Sequence, residues 1–105
     1  MTKAVMNWDR LRLEVNGHAN WDEVGKDIVC AAESMLVQAL WRTIEEAQAR
    51  KRCEMGGDMA EGQCIIWAEP KYGYRNEIKN YFKVCVVGMK MLAEEYPKYI
   101  EVWEV

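Results

Sequence analysis

Residues 10–15, RLRLEV, alternate between charged and apolar, which predicts a half-buried strand with Leu11, Leu13 and Val15 on one face and Arg12 and Glu14 on the other. Ahead of it, KAVMNW predicts a short first strand with Asn7–Arg10 as a tight turn, and Gly17 closes the second strand. From Asp27 the period changes. Apolar residues at 28, 29, 32, 35, 36, 39, 40, 44 and 47 form a helical stripe that runs to about Ala49. Asp27 is a natural cap, because its carboxylate can accept hydrogen bonds from the unpaired amides of the first turn. The far end, EEAQARKR, sets acids ahead of bases, which favours the helix through side-chain pairing and its dipole. Residues 52–70 predict two short strands forming a hairpin around a connection at Gly56 to Gly62. After Pro70 and Gly73 comes a second helix, with Ile78, Tyr81, Phe82, Cys85, Met89, Leu92 and Tyr96 on one stripe and Pro97 ending it. The tail KYIEVWEV alternates again and predicts a last strand. This order implies an α/β (α+β) two-layer sandwich, one sheet with two amphipathic helices packed on a face.

Composition narrows the class. A chain of 105 residues supports one small domain, spanning residues 1–105, and 50% hydrophobic with 30% charged residues suits a globular fold. A net charge of −3 and a pI near 5.2 argue against direct nucleic-acid binding, which needs a basic face to displace counterions. The apolar runs are short and the start MTKAVMNWDR lacks a signal peptide's apolar core, so the expectation is a cytoplasmic protein without membrane contact. The four cysteines include no CxxC pair and there is one histidine, so reduced thiols, no metal and no cofactor are expected.

The candidate chemistry lies in GHANWDEVGKDIVCAAES, residues 17–34. With Asp27 as cap, Cys30 stands at the third helical position, near unpaired amides and the positive end of the dipole, which favours thiolate. A thiolate attacks carbonyl carbon, and an imidazole can take the thiol proton and return it to a leaving amine. His18 is the one imidazole available, and the loop with Gly17 and Gly25 is long enough to fold it over the helix start. Ser34, one turn beyond Cys30, can reach the thiol or orient a neighbour, whereas the charge of Asp27 opposes thiolate and suits it to capping or to orienting the histidine. Spacing alone leaves a plainer alternative open, in which Cys30, followed by Ala31 and Ala32, is a small packed residue and His18 an ordinary turn residue. Cys53, Cys64 and Cys85 are read as structural, Trp41, Trp67 and Trp103 as core or dimer interface, and Glu94, Glu95, Glu101 and Glu104 as a solvated face.

The segments GHA, GKDIVCAAES and VGMKMLAEEYPKYIEV resemble the ribosomal-processing cysteine protease family, Prp, over nearly the whole chain. The resemblance implies a His18–Cys30 catalytic dyad, with Asp27 and Ser34 in supporting positions, on an α/β sandwich that forms homodimers. It implies removal of a short N-terminal extension from a large-subunit ribosomal protein precursor, cut after an aromatic residue; related copies in phages and prophages act on structural proteins of the virion. Two positions depart from the family's usual pattern: Asn20 where glycine is usual, and Glu33 where a small or aliphatic residue is usual. The segment from His18 to Lys26, with Gly17 before it and Ala19, Asn20, Trp21 and Gly25 within it, is the expected substrate loop closing over a bound strand. Trp21 serves as part of that lid or packs against the helix, and packing is favoured. Two other classes compete: a dimeric module that grips the same partner without cutting it, and a redox-sensing thiol, for which no resolving cysteine is close in sequence.

Overall fold

The computed structural model describes residues 1–17 and 27–105, and the alternating segments are strands. They are β1 (Thr2–Asn7), β2 (Arg12–Asn16), β3 (Cys53–Ala60), β4 (Gln63–Pro70) and β5 (Ile100–Glu104), with helices α1 (Ile28–Ala49) and α2 (Arg75–Glu95) between them. The sheet order is β3-β4-β2-β1-β5. All neighbours run antiparallel except β1 and β5, which pair in parallel from Thr2 opposite Ile100 to Met6 opposite Glu104. The two long connections are the helices, which pack on each other and on the sheet as a second layer.

Strand alternation builds the sheet's half of the core. Ala4, Met6, Leu13, Val15, Ile66 and Ala68 are buried, and α1 and α2 meet them with Leu40, Ile44, Phe82 and Met89. Burying large apolar side chains contributes about 1.5–3 kcal/mol each, so this layer contact holds the fold.

Several expectations need correction. The first turn ends one residue later than predicted, because Leu11 adopts φ 47 to bring its buried side chain into the core. In the hairpin, Gly56 and Gly57 belong to β3, not to the connection, which is Glu61–Gly62. A side chain at Gly56 would meet the Trp67 ring at 2.5 Å, and Gly57, at φ +142, lies against the Ile65 carbonyl. Here glycine serves close cross-strand approach rather than turning.

The buried face of α1 is Val29, Glu33, Val37, Leu40, Ile44 and Ala47, whereas Ile28 and Met35 are 53% and 65% exposed. The predicted stripe included both exposed residues and omitted Val37 and Glu33. The last of the bases in EEAQARKR, Arg52, lies beyond the end of α1 and pairs with Glu77 of α2 at 2.6 Å. Trp41 packs on the core, but Trp103 is 53% exposed on edge strand β5 with the Lys3 ammonium 5.3 Å from its ring, so it is not a core residue.

Candidate active site

The N-terminal end of α1 follows the prediction closely. Asp27 is the cap, and its Oδ1 accepts from the Cys30 amide at 2.8 Å, while the Ala31 amide donates to the Asp27 carbonyl at 3.0 Å. Cys30 therefore lies in the first turn. Its own amide is committed to the cap, which narrows the supply of free donors expected there.

Cys30 differs from the other thiols in access. Cys53, Cys64 and Cys85 are buried, and Cys30 is partly exposed. Burial raises all four: Cys64 to about 11 and Cys85 to about 12, with Cys53 also above its ordinary value. Cys30 is raised too, by burial first, then by the charges of Asp27 and Glu33, while a hydrogen bond from Ser34 pulls the other way and Glu61 adds a smaller push upward. The thiolate expected from the helix start is therefore opposed by burial and by the acidic groups around the sulfur.

Four distant stretches of chain converge beside this turn. The Gly17 amide donates to the Gly62 carbonyl at 2.8 Å, joining the end of β2 to the β3–β4 turn that carries Glu61. A side chain at Gly17, where φ is +95, would meet the Met1 carbonyl oxygen at 2.5 Å. Next to Met1, Thr2 donates its hydroxyl to Glu33 Oε2 at 3.0 Å, one turn into α1 from Cys30. The chain leaves Gly17 directly into the segment with His18.

Of the predicted site residues, Gly17, Asp27, Cys30 and Ser34 are thus at one end of the sheet. His18, Ala19, Asn20, Trp21 and Gly25 lie outside the described residues. Sequence reasoning missed Thr2 and Glu61, and treated Glu33 only as a departure. The spacing of Glu33 was a usable signal, since it stands four residues from both Val29 and Val37 on the buried face. A cleft of about 500 Å³ lined by Arg10, Arg12, Trp67 and Arg75 holds none of these residues. Among the described residues no helix is long and apolar enough to cross a membrane.

A family model described as cysteine protease Prp matches residues 1–101. In fold, the chain is similar to the essential ribosomal processing protease Prp from S. aureus in complex with a covalently linked product peptide, at a TM-score of 0.80 and 19% identity over the whole of both chains. The same S. aureus protease with a substrate peptide gives a TM-score of 0.73 and 18% identity, again over both whole chains. SMU.848 from Streptococcus mutans gives 0.66 and 23%, covering 99% of this chain and 91% of that one. No curated protein matches. At these identities the solved structures speak for the fold, and membership rests on the family model, which spans nearly the entire sequence: the chain belongs to the family of cysteine protease Prp.

Proposed function

We propose that this chain is an endopeptidase in which Cys30 is the nucleophile and His18 the general base, and that it removes the N-terminal extension of a large-subunit ribosomal protein precursor. The observation that carries the reading is the access of Cys30: alone among the four thiols it is not buried, in the first turn of α1, at the sheet end where the chain runs on into His18.

The chemistry follows from that placement. His18 takes the thiol proton, and the Cys30 sulfur attacks the scissile carbonyl carbon to give a tetrahedral oxyanion. With the Cys30 amide held by Asp27, the first-turn amides of Ile28 and Val29 are the natural donors to that oxyanion. Collapse breaks the carbon–nitrogen bond, and the leaving amine receives the proton from His18. Water then cleaves the thioester, restoring the thiol and releasing a carboxylate. A covalently linked product peptide on a protein of the same fold supports this course. Asp27 fixes the first turn, Ser34 bonds to the thiol, and Gly17, Ala19, Asn20, Trp21 and Gly25 form the loop over the substrate. The enzyme acts as a cytoplasmic homodimer, in a bacterium or its prophage.

The test is a panel of peptides from the N-termini of the ribosomal protein and of phage capsid and scaffold proteins, incubated with wild type, Cys30→Ala and His18→Ala. Cleavage of the ribosomal peptide by wild type is expected, with a loss of about 10³-fold or more for Cys30→Ala and about 10²–10⁴-fold for His18→Ala. Cleavage of a phage peptide alone would move the substrate to the virion. Tight binding without cleavage by wild type and Cys30→Ala alike would make the protein a binding module.

A further inference from the structure

A carboxyl group inside a small core calls for an explanation. Glu33 is 5% exposed and stands three residues after Cys30, on an adjoining position of the helix surface. Its Oε2 accepts from the Thr2 hydroxyl, and Thr2 is itself fully buried at the start of β1. Its Oε1 is buried without a hydrogen-bond partner among the described residues. A leucine here would fill the same face without an orphaned acceptor, at no desolvation cost.

We propose that Glu33 is a positioning residue for Cys30: gripped by Thr2, its buried carboxyl clamps the first turns of α1 onto the start of β1 and sets an acidic group one turn from the thiol. The catalytic part of this inference rests on the reading of Cys30 as nucleophile.

The clamp joins the two halves of the site. Thr2 is held in the sheet by its amide, which donates to the Tyr99 carbonyl at 2.9 Å. Met1, beside it, lies against Gly17, the residue before His18. The Thr2–Glu33 bond therefore fixes α1 relative to the strand end from which the histidine segment departs.

The clamp is also sensitive to protons. Burial pushes Glu33 up to about 7, against the Thr2 hydrogen bond; Asp27 adds to the rise and the α-amino group of Met1 opposes it. Among the described residues, the titratable groups that bear on the pair are Cys30 on α1 and Asp27 at its cap, the α-amino group of Met1 just before β1, and Glu61, which bears on Cys30 from the β3–β4 turn. As pH rises through neutrality Glu33 acquires a charge that resists ionisation of Cys30. The two titrations oppose each other, so the thiol titrates over a broad range.

The experiment measures the rate of Cys30 alkylation by iodoacetamide across about pH 5–10, resolved by peptide mass spectrometry from the three buried thiols. Wild type, Glu33→Gln and Thr2→Val are compared, with circular dichroism for folding. The expected wild-type profile is broad, with a step near neutrality. Glu33→Gln narrows the profile, lowers its midpoint and alkylates several-fold faster at pH 8; His18 acts in both proteins alike, so the difference between the two curves reads Glu33. Thr2→Val keeps the two steps and moves the lower one to higher pH, because the hydroxyl no longer stabilises the carboxylate. A Glu33→Gln curve superimposable on wild type overturns the proposal. Should that variant not fold, an unmoved lower step in Thr2→Val does the same. Thiol curves that move as expected in a protein that cleaves no peptide would refute the peptidase and leave the clamp standing; unmoved curves with intact cleavage would do the reverse.

Discussion

Glu33 carries two consequences at the scale of a single side chain, one for the thiol beside it and one for stability. A carboxyl raised from 4.5 to about 7 on folding is held more readily in its protonated form. The folded state then binds more protons than the unfolded chain between those values, so Glu33 detracts from stability as pH rises from about 4.5 to 7 and does so fully above that. Glu33→Gln is expected to leave stability nearly unchanged at pH 4 and to raise it by about 2–3 kcal/mol at pH 8. Urea denaturation at the two pH values checks this, and an equal effect at both would mean that the carboxyl titrates alike in the folded and unfolded chain, as one that already meets water does. At this scale the sequence was partly legible. The nucleophile candidate, its cap and Ser34 sit as spacing implied, because a helix start has few solutions. Thr2–Glu33 was not legible, because a hydrogen bond between residues 31 positions apart has no local signature.

At the scale of elements, the cap of α1 bears both on the helix start and on the Cys30 thiol. Asp27→Ala removes the acceptor for the Cys30 amide and is expected to cost about 1 kcal/mol in thermal or chemical unfolding. It also removes a charge that raises the Cys30 thiol, so alkylation should become faster at neutral pH in the same variant. Slower alkylation would show that the cap's ordering of the turn outweighs its charge. The elements themselves were readable from periods of two and of three to four residues. The errors came where residue type misled: Gly56 and Gly57 look like a turn but permit close approach to Trp67 and Ile65, and Glu33 looks exposed but occupies a core position. Gly57→Ala tests the first of these. At φ +142 against the Ile65 carbonyl, even a methyl group should destabilise the hairpin edge by at least about 1 kcal/mol, and a neutral result would contradict that strand register.

The whole molecule depends on pairings that no local pattern announces. The parallel contact of β1 with β5 brings the two ends of the chain together, and the order β3-β4-β2-β1-β5 sets Gly17, Gly62, Met1 and the start of α1 side by side. Sequence periodicity implied two layers but not this convergence, since sheet order is decided by how the helical crossovers cover a shared core. Phe82, fully buried on α2 within that core, makes the dependence measurable. Phe82→Ala should cost about 3–5 kcal/mol of unfolding free energy, enough to threaten a domain of this size. Whether the Cys30 sulfur is the attacking atom is read by intact-mass analysis of the enzyme quenched during turnover of the ribosomal N-terminal peptide. The expected result is a thioester adduct with the mass of the N-terminal acyl fragment, mapped to Cys30, in wild type and none in Cys30→Ala. Continued cleavage by Cys30→Ala, or an adduct on another residue, would contradict it.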